Sequence, residues 1–591
     1  MIKQTRIFTS LLMALSVGAC SATAPEALSA KIEQAQIKLG KTAMVVTANP
    51  LASRAGAEIL RAGGSAVDAA IAIEAVLSLV EPQSSGLGGG GYMTHFDNAS
   101  NVVSVYDGRE TAPALATEKM FLDQDGNSIG YLNAKNSGLS TGVPGMVSML
   151  SLAHQDHGKI PWGPHFDRAK QLATDGFEVS PRLQGMIARF GKYIPTTLDQ
   201  GPIDAYRYFF NDNGEPLAAG DLRTNPDYAA ALSLIAANPR AFYQGPLAEK
   251  IVEQTSQAPR AGSLSLSDLN NYKAQKRQAL CTPFKTKLLC GPPPSSSWVA
   301  IGQIMGLLEN APAFTAEGAN DPQNWALFAE AQRLAYADRD QYVADDQYVE
   351  VPLSGMLNPD YLATRAKLIS PVKAITDLKP GNPWAYQATE KVAYGVDGTD
   401  DQPGTTHFVV VDGDGNVVSM TASVESIFGS TRMAGGMFLN NQLTDFSFNP
   451  VDQTGNAVAN KVVANKRPRS SMSPTIVLDD NGEFLMASGS PGGNSIIAYT
   501  AKTLVGVLEW GLSPQQSIDL PNLVARKGNV RIEKSRASAE LISGLREFGY
   551  EVNESAGENS GLSVVYQHAD GRLEGGVDPR REGIIELLEL D

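Results

Sequence analysis

The stretch Pro403-Gly404-Thr405-Thr406-His407-Phe408 divides the chain into two textures. Just ahead of it, residues 377–404 are rich in Gly, Pro, Asp and Gln without periodicity, which suits a mobile surface segment. Just behind it, Phe408 to Val411 open a strand pattern. Three hairpins are expected from there on: 406–412 with 416–423, 473–478 with 484–487, and 562–567 with 572–575. Each turns on Gly- and Asp-rich residues. A helix over 495–510 separates the second hairpin from the third. From Gly142 to about Arg365 the periodicity is instead mostly helical, as at 166–177, 228–237 and 324–338. Any fold must therefore join a helical first part to a β-rich second part across Gly404 and Thr405.

Charge and composition remove several classes of function. A chain of 591 residues that is 43% hydrophobic and 19% charged can build a large core. A net charge of −15, spread without long single-sign blocks, offers no basic footprint for nucleic acid. At the N-terminus, Lys3 and Arg6 precede an apolar stretch over 7–19 that is too short to span a bilayer but suits a signal peptide. Val17-Gly18-Ala19-Cys20 resembles a bacterial lipobox, with Cys20 as the lipidated residue; the alternative is a plain signal peptide cut nearby. Either reading predicts export, with 1–19 a signal peptide and 20–41 a tether, a periplasmic location, and contact with a membrane only through the lipid on Cys20. Cys281 and Cys290 are then left as a bridge or as two buried thiols.

Several patterns carry weaker meaning. Helices are expected over 51–61 and 66–80, and the second runs into Ser84-Ser85-Gly86-Leu87-Gly88-Gly89-Gly90-Gly91. That run satisfies G-x-G-x-x-G, but it follows a helix and precedes a strand, the reverse of a dinucleotide site, so it reads as backbone packed too tightly for side chains. Arg109 ends a buried strand, as a structural ion-pair partner or a ligand clamp. His154 and His157 fall in a polar, loop-like stretch with no acidic or Cys pattern beside them, which gives no metal site.

The longer motifs resemble one family. Thr405-Thr406-His407-Phe408, Leu439-Asn440-Asn441-Gln442-Leu443-Thr444-Asp445-Phe446, Lys466-Arg467-Pro468-Arg469-Ser470-Ser471-Met472-Ser473-Pro474-Thr475 and Gly489-Ser490-Pro491-Gly492-Gly493 are similar to the γ-glutamyltranspeptidases, N-terminal-nucleophile hydrolases. Gly63-Gly64-Ser65-Ala66-Val67-Asp68-Ala69-Ala70, Asp107-Gly108-Arg109-Glu110, Gly142-Val143-Pro144-Gly145 and Ala335-Tyr336-Ala337-Asp338-Arg339 match in order, so the likeness spans about 42–580.

The resemblance implies an α+β fold, a four-layer αββα sandwich. It also implies a precursor that cuts itself between Gly404 and Thr405 into a large subunit, 42–404, and a small one, 405–591, that stay paired. Chemistry makes the assignment sensible. A threonine hydroxyl needs a base beside it, and an N-terminal threonine carries one in its α-amine, whose ordinary pKa is about 7.7–8.0. Thr405 is then the nucleophile, and Thr406 and Ser423 hydrogen-bond near it. Gly492 and Gly493 offer N–H groups to the oxyanion. Arg109, Ser470 and Ser471 hold a substrate α-carboxylate, while Glu425, Gln442 and Asp445 receive its α-ammonium. Glutathione or another γ-glutamyl donor is the implied substrate, with water, an amino acid or a peptide as acceptor, and no cofactor or metal.

This sequence also departs from the family pattern. Residue 423 is Ser where many members have Thr, 425 is Glu where many have Asn, and Arg469 replaces an apolar residue, placing a second cation near the carboxylate pocket. Residues 447–464, where some members carry a tyrosine-bearing lid, contain no Tyr. Two other readings remain: an acylase of the same family acting on glutaryl-type side chains, which lack the α-ammonium, and an unprocessed surface lipoprotein that binds peptides without turnover.

Overall fold

The computed structural model describes residues 41–400, 402–556 and 560–590; the expected signal peptide, tether and Cys20 lie outside them. In chain order the strands that form its two main sheets are Lys41–Thr47 (β1), Gly90–Asp97 (β2), Val102–Asp107 (β3), Gln275–Gln278 (β4), Leu280–Phe284 (β5) and Lys287–Gly291 (β6). After the divide come Gly404–Val411 (β7), Val417–Glu425 (β8), Thr475–Leu478 (β9), Phe484–Gly489 (β10), Ser563–Gln567 (β11), Leu573–Val577 (β12) and Ile584–Leu590 (β13). They build a seven-stranded sheet, β13-β1-β7-β8-β2-β3-β4, and a six-stranded sheet, β12-β11-β10-β9-β6-β5.

Strand alternation stacks these sheets into four layers. On β7, Phe408 and Val410 pack outward with helices Pro50–Arg61 (α1), Ala66–Val80 (α2) and Met146–His157 (α3). Val409 and Val411 point the other way, into a core between the sheets with Ile476, Phe484 and Val565. Beyond the second sheet, Val477, Met486 and Val564 meet Trp298–Asn310 (α4), Pro322–Tyr342 (α5) and Ile496–Leu508 (α6). The αββα order is thus written in which neighbours each alternate side chain touches.

The sequence signals place most of these elements. α2 begins where Ser65 and Asp68 form a reciprocal capping box, and α1 where the Asn49 side chain accepts from the Leu51 N–H. All three expected hairpins form. The glycine run is backbone-tight as expected: a Cβ on Gly88 or Gly89 would stand 2.1 Å from a carbonyl oxygen, of Phe438 or Ser423 respectively.

Four expectations are corrected. The helical region is interrupted by β4, β5 and β6, which join both sheets, so it is not a uniform helical face. The helix expected over 166–177 is shorter, Asp167–Asp175, because Gly176 takes a positive φ of 101° and Phe177 pairs with Arg223. His154 and His157 lie on the last turn of α3 rather than in a loop, and Asp68 stands beside His154. The segment before Thr405 is held in place: Asp397 pairs with Arg469 at 3.0 Å and accepts from Asn460 at 2.9 Å, and Asp400 pairs with Arg526. The choice between bridge and free thiols is also decided, since Cys281 and Cys290 are disulfide-bonded across β5 and β6. Among the described residues no helix is long and apolar enough to cross a membrane.

Candidate active site

Thr405 begins the central strand pair of the first sheet, opposite Ser423 on β8. Strand β7 runs through Gly404 and Thr405. Next to it β8 bulges between Ser423 and Glu425, with Glu425 at φ 77°, a conformation costly for a side chain and often reserved for functional positions. The bulge brings the backbone so close that a Cβ on Gly404 would lie 2.4 Å from Ser426.

One hydroxyl organises the divide. Ser423 Oγ lies 2.8 Å from the Gly404 carbonyl oxygen, which can only accept, so Ser423 spends its proton there. The Glu425 N–H donates to Ser423 Oγ at 2.8 Å. Thr405 Oγ1, 3.1 Å from Ser423 Oγ, must then be the donor in that pair. The nucleophile candidate therefore has its proton directed away, while the carbonyl in front of it is polarised.

Around this point the structure collects residues from both parts of the chain. Arg109, fully buried, donates to Asp445 Oδ2 at 2.6 Å and to the Arg469 carbonyl at 2.8 Å. Burial alone would weaken its charge, but Asp445 and Glu110 hold its pKa above the ordinary value. Gln442 donates to the same Asp445 oxygen at 2.7 Å. Glu425 accepts from Tyr131 at 2.9 Å, from the Gln402 N–H and from Asn441. Burial first, and the nearby Asp445 charge second, push the pKa of its carboxyl well above the usual range. Arg109, Glu425, Gln442 and Asp445, with Ser470, Ser471 and Gly493, line a space of about 10 Å³, room for about one water.

Gly492 and Gly493 both take positive φ, 137° and 56°, at the turn into α6, and Gly493 lines the cavity. Ser471 accepts from Arg339 at 2.8 Å, and Ser470 is stitched through its backbone to Ser295 and Ser297. Two expectations change here. The Thr406 side chain, on the opposite face of β7 from Thr405, finds no hydrogen-bond partner for Oγ1 among the described residues. The Arg469 guanidinium turns to Asp397 and Asp340, and only its carbonyl reaches Arg109, so it does not add a cation to the pocket.

Tyr131, Gln402, Asn441 and Arg339 complete the site but were not singled out from the sequence. Asn441 and Arg339 sit inside recognised motifs, and their neighbours there gave the signal. Tyr131 opens a five-residue helix, Tyr131–Lys135, in a stretch without motif, and only the fold brings it to Glu425.

Comparisons with known proteins find relatives along most of the chain. The profile of the family described as Gamma-glutamyltranspeptidase matches residues 52–588. The glutathione hydrolase proenzyme of Bacillus subtilis (strain 168) is 33% identical over 560 residues, covering 93% of this chain and 92% of its own. That of Escherichia coli (strain K12) is 34% identical over 600 residues, with 98% of each covered. The crystal structure of cephalosporin acylase from Bacillus halodurans superposes with a TM-score of 0.79 at 23% identity, over 93% of this chain and 96% of that one, a likeness of fold. A shared αββα framework, a family profile across nearly the whole described chain and relatives of matching length place this chain in the γ-glutamyltranspeptidase family.

Proposed function

We propose that the chain is a precursor that cleaves itself between Gly404 and Thr405 and then hydrolyses or transfers γ-glutamyl groups from glutathione-like donors. The observation that carries this reading is Ser423, which donates to the Gly404 carbonyl and accepts a hydrogen bond from the Thr405 hydroxyl beside one bulge.

In maturation, Thr405 Oγ1 attacks the Gly404 carbonyl carbon while Ser423 donates to the carbonyl oxygen. The hydroxyl proton passes to the Thr405 nitrogen, the C–N bond breaks, and an ester joins Gly404 to Thr405 Oγ1. Water hydrolyses that ester, leaving a carboxylate on Gly404 and a free hydroxyl and amine on Thr405.

In turnover the freed α-amine takes the hydroxyl proton as Oγ1 attacks the γ-carbonyl of the donor. Backbone N–H groups of Gly492 and Gly493 receive the oxyanion. The departing amine takes the proton, and a γ-glutamyl ester remains on Thr405. Water or an acceptor amine then attacks the ester and regenerates the hydroxyl. The donor's α-carboxylate is held by Arg109, Ser470 and Ser471. Its α-ammonium is held by Asp445, Gln442 and Glu425.

Placement of the carboxylate beside Arg109 requires the Arg109 to Asp445 contact to open, so each zwitterionic end of the substrate replaces one partner of an existing ion pair. A donor lacking the ammonium would leave Asp445 unpaired, which favours γ-glutamyl over glutaryl groups. The reading is tested by turnover of a γ-glutamyl anilide against a glutaryl anilide: preference for the first supports it, and equal or reversed preference assigns the site to the acylase chemistry. Export, with or without lipid on Cys20, belongs to the same proposal and rests on the N-terminal sequence.

A further inference from the structure

Away from the active site, three potential ligands converge at the start of α2. Asp68 Oδ1 lies 2.9 Å from His165 Nε2 and 3.7 Å from His154 Nε2, and the three atoms all fall within 4.8 Å of one another. Asp68 and His165 are buried, and His154 is partly exposed.

The hydrogen bonds around them leave one orientation open. Asp68 Oδ2 is taken by the N–H groups of Ser65, Lys159 and Ile160 and by the Ser65 hydroxyl. Oδ1 is thus the oxygen that faces the imidazoles. His165 Nδ1 is 2.7 Å from the Trp162 carbonyl, which can only accept, so Nδ1 carries a hydrogen. A neutral His165 would then turn the Nε2 lone pair toward a carboxylate oxygen 2.9 Å away. That spacing needs a cation between the two atoms, either a proton on Nε2 or a metal ion.

We propose that this cluster is a site for a divalent transition-metal cation of the zinc class, bound by His154 Nε2, His165 Nε2 and Asp68 Oδ1, with water as the fourth ligand. Two imidazoles and one carboxylate are a donor set zinc accepts, and tetrahedral ligands at about 2.0–2.1 Å stand roughly 3.4 Å apart, between the two spacings seen here. The bond from His165 Nδ1 to a carbonyl, and those from backbone N–H groups to Asp68 Oδ2, are the outer contacts that fix metal ligands in orientation. His154 Nε2 now donates to the Ile160 carbonyl at 2.9 Å, so metal binding would displace that proton and free the carbonyl to accept from the metal's water. The site would clamp the capping box of α2 to the 158–165 segment, a structural role independent of Thr405.

The test uses the processed, untagged protein, stripped with chelator and titrated with zinc chloride at neutral pH by calorimetry, with metal content read by atomic emission. One equivalent should bind, and saturating zinc should raise Tm. His154→Gln should weaken zinc binding by at least about 10-fold and remove the Tm rise, whereas His157→Gln, on the same helix but outside the cluster, should change neither. Cobalt added to the unsubstituted protein should give the visible absorption of a four-coordinate ion, a readout that does not depend on a variant folding. Absence of saturable one-to-one binding, or a His154→Gln protein that binds zinc as the parent does, would overturn the proposal and leave a proton between His165 and Asp68.

Discussion

Ser423 and Glu425 show how much a single position settles. Ser423 serves both halves of the self-cleavage geometry, so Ser423→Ala should slow conversion of precursor to fragments by about 10²–10³-fold, the usual effect of removing one donor to a developing oxyanion. Ser423→Thr, which keeps the hydroxyl, should convert at close to the parent rate; a time course on denaturing gels reads both. Asp445 is the shared partner of Arg109 and Gln442. Asp445→Asn should raise KM for a γ-glutamyl anilide by about 10²-fold or more, because the arginine and the incoming ammonium both lose a charged partner. Steady-state kinetics on the processed variant would show it, and an unchanged KM would move the ammonium site elsewhere.

Among the elements, α2 carries an unusual load. Glu74 in its middle is fully buried, and burial raises its carboxyl pKa from an ordinary 4.5 to about 8. A carboxyl whose pKa is raised by folding contributes its full stability below about 4.5 and loses it progressively as pH rises through about 8. Glu74→Gln should therefore flatten the decline in Tm between those limits and leave the variant more stable than the parent above about pH 8, as thermal melts across pH would show.

Legibility differed by element for physical reasons. α2 and the three hairpins carry local signals: a capping box, alternation, and Gly- and Asp-rich turns. β4 and β6 do not, because Gln275–Gln278 is polar and both strands pair with distant partners, Val105 and Val477 among them, while β5 pairs only with β6. The segment before Thr405 looked mobile because ion pairs such as Asp397 with Arg469 join residues far apart in sequence. In the site, residues inside long motifs were visible, whereas Tyr131 reaches Glu425 only through the fold.

Over the whole molecule, the two parts of the chain interleave. In the first sheet β1, from before the divide, lies between β13 and β7, and β8 pairs with β2. In the second, β6 pairs with β9. Cleavage at Gly404 therefore removes one covalent link from sheets that remain shared, and the fragments should co-elute on size exclusion and separate only in denaturant. The Cys281–Cys290 bridge closes a short loop at the outer edge of the second sheet. Replacing both cysteines with serine should cost about 2–3 kcal/mol in denaturant titrations, the loop-entropy scale for such a span.

The central claim is that Thr405 makes the cut that exposes it. N-terminal sequencing and intact mass of the purified protein, beside Thr405→Ala, test this most directly. The account predicts two fragments, the smaller beginning Thr-Thr-His-Phe, and an uncut Thr405→Ala chain without γ-glutamyl anilide turnover. A full-length active parent, a fragment starting elsewhere, or a Thr405→Ala protein that still cleaves between residues 404 and 405 would contradict it.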